Sequence, residues 1–179
     1  MKPRVIIRTP RLEDGPAFLA AVKRSRALHG AWVSPPDTPA KFRKYLRRIS
    51  SGEHRGFVVI HRPSGAQVGV INLNNIIRLS LRSAFLGYYA FADHARQGLM
   101  REGMRLVLAR AFKTLKLHRL EANIQPGNVD SIALVRRLGF VREGFSRRYL
   151  KVRGRWRDHE RWAILSEHWR RQEGSKVRD

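Results

Sequence analysis

Ala84-Phe85-Leu86-Gly87-Tyr88-Tyr89-Ala90-Phe91, then Asp93-His94-Ala95-Arg96-Gln97-Gly98, then Leu99-Met100-Arg101-Glu102-Gly103-Met104, is the stretch on which the fold turns. Its first part is apolar at odd and even positions alike, as a strand covered on both faces must be. Its last part changes period: Met100, Met104, Val107, Leu108, Ala111 and Leu115 recur at helical spacing, with Arg101, Arg105, Arg110 and Lys113 among them. A strand that runs through a glycine-containing turn into a long helix leaves backbone N–H groups free at the positive end of the helix dipole, so the turn is suited to an anion. Gly98 lets the anion approach the backbone closely and Arg96 adds charge. Taken alone, the pattern equally describes an ordinary helix start.

Upstream, Val5-Ile6-Ile7-Arg8 reads as a short strand, and Asp14 as the cap of a helix that carries Phe18, Leu19 and Val22 toward Leu28. Ser34 to Pro39 is a loop, because its prolines lack donors and restrict the residues before them. A second amphipathic helix follows with Phe42, Leu46 and Ile49 on one face, and Ser51-Gly52 ends it. Phe57 to Ile60 and Val68 to Leu73 form a hairpin around Arg62-Pro63-Ser64-Gly65.

Downstream, Arg119 to Gln125 alternates apolar and polar residues and is broken by Pro126-Gly127. Asn128 caps a short helix carrying Ile132, Val135 and Leu138, with Gly139 as its C-terminal stop. A long hairpin, Val141 to Val152 and Trp156 to Leu165, turns at Arg153-Gly154-Arg155. The polar residues 167–179 are expected to fray. The predicted order is strand, two helices, three strands, helix, strand, helix, two strands. This is an α/β (α+β) chain, read as a single domain over 1–179.

The 179 residues are 42% hydrophobic and 28% charged, a composition suited to one folded core. There is no cysteine, which excludes disulfides, thiolate metal sites and cysteine nucleophiles. No apolar run is long enough for a membrane span, so the cytoplasm is the expected compartment. Arg and Lys total 37 against 14 Asp and Glu, a formal net charge of +23. Such a field attracts polyanions, yet the basic residues are scattered, and a merely solvated arginine-rich surface explains them as well as a ribosomal, RNA or acidic-protein partner does. His94, His118 and His159 lack metal-ligand spacing, and no metal is expected. Trp156 and Trp162 read as core or interface residues; Trp32 does too, with a substrate-groove role as its alternative.

The ordered motifs Phe85-Leu86-Gly87-Tyr88, Arg96 to Glu102, His118 to Asn123, Asn128-x-x-Ser131 and Leu138-Gly139-Phe140 together resemble the GNAT acetyltransferases. Arg142-Glu143-Gly144-Phe145, Tyr149-Leu150 and Gly154-x-Trp156-Arg157-Asp158-His159 resemble the RimJ/RimL branch, which acetylates ribosomal-protein N-termini, and its RimJ side above all. The resemblance implies a mixed, largely antiparallel sheet with helices on both faces, and a splayed strand pair holding acetyl-CoA as co-substrate. By that resemblance Arg96, Gln97, Gly98, Leu99, Met100 and Arg101 wrap the pyrophosphate. Tyr89, Ala90 and Phe91 pair with the pantetheine arm beside a β-bulge, and Asn123 and Asn128 contact it. The family's signature is only partly kept, with Ala95 at its first position and Met100 at its last.

The implied chemistry is attack of a neutral amine on the acetyl thioester. An α-amino group of pKa about 7.8 gives up its proton at pH 7 for ~1.1 kcal/mol, a lysine of about 10.4 for ~4.6 kcal/mol. An N-terminal acceptor therefore needs little help from a base. Arg148 stands where an acidic residue is expected, and Glu121 is the substitute base, with a structural ion pair as the equal alternative. As a base, its glutamine variant would lose more than tenfold in kcat/KM. Ser131 and Tyr149 are the proton donors to the leaving thiolate. The expected acceptor is a protein N-terminus on a ribosomal protein. The alternatives are a small-molecule amine, or a weakly active ribosome- or RNA-binding assembly factor, as monomer or homodimer. A cationic polyamine is disfavoured unless Asp37, Glu53, Asp93 and Asp158 make the acceptor groove acidic.

Overall fold

A computed structural model describes residues 3–175. One neighbouring pair of strands in its seven-stranded sheet is parallel, and that pair organises the molecule. The strands are β1 (Val5–Arg8), β2 (Arg55–His61), β3 (Gln67–Ile77), β4 (Ser83–Ala90), β5 (Arg119–Ile124), β6 (Val141–Val152) and β7 (Arg155–Leu165). Their spatial order is β1-β2-β3-β4-β5-β7-β6. All pairs are antiparallel except β4 with β5, which a helical crossover must join. The mixed, largely antiparallel sheet is as expected.

The crossover is α4 (Leu99–Ala109), prolonged by a π-turn over Arg110–Thr114. Its buried residues Met104, Val107 and Leu108 join Leu86, Leu120, Ala122 and Ile124 in the larger core. α5 (Val129–Arg137) adds Ile132 and Val135 on the same face. The opposite face is covered by α1 (Gly15–Arg24), α2 (Arg26–His29) and α3 (Pro39–Ile49), where Phe18, Phe42 and Tyr45 pack on Val70 and Phe91. Period-two alternation along β5 sends Leu120, Ala122 and Ile124 to the α4 side and Arg119, Glu121 and Asn123 to the other.

Three local expectations are corrected. Asp14 stands at the N-cap of α1 but its side chain makes no capping bond there: its carboxylate takes both terminal nitrogens of Arg8, at 2.7 and 2.6 Å, and the Arg11 N–H at 2.7 Å. A two-pronged bond to a guanidinium outweighs a single bond to a helix N–H, and it fixes the end of β1. The residues after Ser166 are not a frayed tail. They form α6 (Ser166–Ser175), because Trp169 is 3% exposed, packs on Phe112 at 5.5 Å between ring centroids, and carries Lys113 over its ring. The end of the expected tail, 176–179, lies outside the described residues. The bulge expected beside Tyr89 lies at the far end of the strand pair: β3 and β4 keep register from Gly69–Ala90 to Asn74–Phe85, and the shift falls between Asn74 and Ile77, where Asn75 has φ +49°.

Candidate active site

β4 and β5 pair only from Ser83–Arg119 to Leu86–Ala122, although β4 continues to Ala90 and β5 to Ile124. Gly87 to Ala90 have β3 as their one strand partner, and their other edge borders an opening at the carboxyl ends of two parallel strands, the usual ligand position of such a crossover. The splay thus arises without a bulge in β4.

The helix after β4 supplies the polar end of this opening. Arg96 and Gly98 both take positive φ, +61° and +76°, so the chain curls and the first N–H groups of α4 are left without intrahelical acceptors. Arg4, at the head of β1, holds this turn from behind. Its guanidinium gives 2.9 Å to the Gln97 carbonyl and 2.7 Å to Glu102 Oε1, and its backbone N–H gives 2.7 Å to Glu102 Oε2. Burial opposes ionisation of Glu102, but the Arg4 bonds outweigh it and its pKa is lowered. Arg96 reaches across to Asp130 of α5 at 3.4 Å.

Met100, where the resembled signature has a small residue, is housed by Gly69 of β3. A Cβ on Gly69 would collide with the Tyr89 carbonyl and lie 2.6 Å from Met100 Sδ. Gly103 likewise lets α4 sit close on β2, since a Cβ there would be 2.8 Å from Val59. A glycine inside a strand marks such close approach, and Gly69 between Val68 and Val70 was the one sequence signal for it.

Asn128 caps α5 as expected, its side chain accepting the Ser131 N–H at 3.2 Å. The Ser131 hydroxyl shares a 2.6 Å hydrogen bond with the Tyr88 hydroxyl, a partner that sequence reasoning missed. Burial pushes the Tyr88 phenol up, against the Ser131 bond, so both hydroxyls keep their protons. Tyr149 is elsewhere, exposed on β6 with its ring 6.2 Å from that of His159. Glu121 sits within the paired part of β4–β5, its Oε1 2.8 Å from Arg119 Nε, and Arg119 also grips Glu143. Asn123 is the first β5 residue past the last pair, and its Oδ1 is buried with no hydrogen-bond partner among the described residues.

A strap crosses the mouth of the opening. His29 Nε2 donates 2.8 Å to the Ala90 carbonyl, Gln125 gives 3.4 Å to the Ala31 carbonyl, and Trp32 covers Gly127, whose Cβ would lie 3.1 Å from the indole. Arg153, at the turn of the β6–β7 hairpin, closes the line at the Val33 carbonyl, 3.4 Å away. The carboxylates named for an acidic groove are largely engaged: Asp37 with Lys41 and Asp93 with Arg24, each at 2.6 Å, and Asp158 with the Arg148 N–H at 2.8 Å.

Comparison with known proteins gives the same assignment. The acetyltransferase (GNAT) domain model matches residues 4–141. The probable N-acetyltransferase YjcK of Bacillus subtilis is 37% identical over 123 residues, 69% of this chain and 68% of that one. The [ribosomal protein uS5]-alanine N-acetyltransferase of Escherichia coli is 36% identical over 102 residues, 57% of this chain and 53% of that one. The solved structure of Mycobacterium smegmatis RimJ in complex with CoA-disulfide superimposes with a TM-score of 0.84 at 27% identity, covering 91% of this chain and 82% of that one. A splayed β4–β5 pair, an amide-rich turn into α4, and a family match over most of the chain agree: this protein belongs to the GNAT family and is an N-acetyltransferase.

Proposed function

We propose that the opening between β4 and β5 binds acetyl-CoA and that the acceptor is the α-amino group of a protein N-terminus, on a ribosomal protein. The observation that carries this reading is the early end of β4–β5 pairing, which leaves the Gly87–Ala90 edge without a strand partner beside the α4 turn. The donor set suits the ligand: an extended amide arm matches an unpaired strand edge, a pyrophosphate matches the free N–H groups of α4, and the buried orphan Asn123 Oδ1 matches an amide N–H. Arg96, Gln97, Gly98, Leu99, Met100 and Arg101 line the phosphate end, Tyr89, Ala90 and Phe91 the arm.

Bound acetyl-CoA supplies the thioester that an amine attacks. Tyr88 and Ser131 form a hydroxyl pair able to pass one proton toward a departing thiolate, with Ser131 as the nearer donor and Tyr88 behind it. Tyr149, exposed on β6 beside His159, is the second candidate donor, and the Tyr88–Ser131 pair is preferred to it because it lies at the β4–α5 side of the opening. Of the two readings of Glu121, its engagement by Arg119 supports the ion pair. The acceptor enters under the strap of His29 to Val33, and its neutral form is accessible without a base when its pKa is near 8.

A singly charged N-terminus suits this basic chain better than a polyamine, because three of the four carboxylates named for an acidic groove are engaged, Asp37 and Asp93 by cations and Asp158 by an N–H group. The first test is thermal unfolding with acetyl-CoA. Saturation at about 100 Kd adds ~2.7 kcal/mol, a rise of roughly 5–11 °C for a chain of this size. Acetyl transfer to N-terminal peptides and to spermidine is then compared. A peptide kcat/KM at least tenfold above that for spermidine is expected; the reverse ranking overturns the acceptor assignment.

A further inference from the structure

The β6–β7 hairpin projects two kinds of surface. One face carries His159 and Arg161 on the side of Asn123, toward the strap, since Asn123 is paired with Arg161. The other continues the face of Trp162, which packs in the α4 core with Arg136 over its ring. Beyond Trp162 that outward face passes through Glu160, Asp158 and Trp156, with Phe145 opposite Glu160 and Lys151 opposite Trp156.

Two exposed aromatic rings and a majority of cations over carboxylates share it. Phe145 is 43% and Trp156 60% exposed. Their register positions are four residues apart, roughly 13 Å at strand rise, about the reach of two extended nucleotides. A groove beside Phe145 is lined by Arg147, Arg148 and Asp158. The Asp158 carboxylate faces the Arg148 backbone N–H, and Arg147, Arg148, Lys151 and Arg155 make no ion pair among the described residues. Glu160 is already paired with Arg142, which leaves Asp158 as the one carboxylate among Arg147, Arg148, Lys151 and Arg155. Cations in excess beside exposed aromatic planes are the combination that holds single strands, phosphates on the cations and bases on the rings. A second copy of this chain is a poor occupant, because each copy carries +23.

We propose that this outward face of the β6–β7 hairpin binds single-stranded RNA, with phosphates on Arg147, Arg148 and Lys151 and bases stacked on Phe145 and Trp156. The site is separate from the opening that binds acetyl-CoA and goes beyond the acceptor reading.

A short fluorescent poly-U oligonucleotide, titrated between about 50 and 200 mM salt, tests it. Three phosphate contacts give a log–log slope of about −2. Arg147→Glu with Lys151→Glu is expected to weaken binding at least tenfold and to flatten the slope. Trp156→Ala is expected to weaken it about fivefold or more with the slope kept, and to abolish RNA quenching of indole fluorescence. Both variants are expected to keep the thermal shift with acetyl-CoA, which separates lost RNA binding from lost folding. Lys44→Glu with Arg47→Glu, on exposed α3, is the charge control. The proposal is overturned if that control weakens binding equally, if Trp156→Ala changes nothing, if an acidic peptide of equal charge competes as well as RNA, or if Trp156 instead drives self-association.

Discussion

The two ends of the opening are built from different materials. On the phosphate side, position is set by backbone: the unpaired edge of β4, the curled turn at Arg96 to Gly98, and two glycines that bring α4 down on β2 and β3. On the side proposed for the acceptor it is set by single long-range side-chain contacts from His29, Gln125, Trp32 and Arg153 to main chain. Backbone placement tolerates substitution of the side chains above it, so a shared co-substrate can be kept while Ala95 and Met100 drift. Contacts made by single side chains can change one at a time, and that is where we propose acceptor choice resides.

Breaking the phosphate side through its backbone is expected to have the largest effect. Gly69→Ala drives a methyl into the Tyr89 carbonyl, which cannot move without unzipping β3 from β4. Overpacking of this kind costs ~1–3 kcal/mol, a fall in melting temperature of roughly 2–12 °C, and the KM for acetyl-CoA should rise more than tenfold. Adding Met100→Ala removes the thioether and should recover part of the KM loss. Recovery would show that Gly69 and Met100 form a compensating pair; its absence would place the whole cost on the carbonyl.

Asn123→Ala comes next. Removal of a buried acceptor that has no partner among the described residues should leave the melting temperature within about 2 °C, yet raise the KM for acetyl-CoA about tenfold with kcat nearly kept. A structural role would show the opposite split. Arg4→Ala frees Glu102 and the Gln97 carbonyl, and should raise the same KM about three- to fivefold, less because Arg4 supports the turn from behind. For Glu121→Gln a loss in kcat/KM of less than threefold is expected, with the pH–rate profile unchanged, since the carboxylate is held by Arg119. A tenfold loss with a displaced profile would return Glu121 to the role of base.

These contrasts explain what the sequence made legible. The succession of strands along the chain, the α4 helix and the Asn128 cap follow from periodicity and local chemistry, which act over a few residues. The Asp14 fork, the Trp169 anchor and the Tyr88–Ser131 pair join residues whose proximity the fold creates, and nothing local announces them. Trp169 shows the point: polar neighbours made its segment read as a fraying tail, while one buried ring packed at a tilt on Phe112 docks the helix. The splay was foreseen by resemblance, but through a bulge in the wrong place.

The smallest expected effect joins the two sides. His29 is buried, which lowers its pKa despite the Ala90 bond, and Arg153 lowers it further; His159 is lowered by burial too. A histidine whose folded pKa lies below its unfolded value of about 6.5 leaves stability intact above that pH, and the stability is lost as the pH falls, because the unfolded chain takes the proton first. The lowered carboxylates Asp14, Glu102 and Glu143 give the same sign, but their contribution is lost only below about pH 4. The interval from about pH 6.5 to 5 therefore reports the histidines. His29→Gln keeps a donor for Ala90 and cannot titrate, so its melting temperature should depend less on pH across that interval than the parent's. Because Ala90 ends the edge proposed to hold the pantetheine arm, the parent's KM for acetyl-CoA should rise with acidity in the same interval and the variant's should rise less. An equal rise in both would mean that protonating the strap does not reach the cofactor edge, and that the two sides work independently.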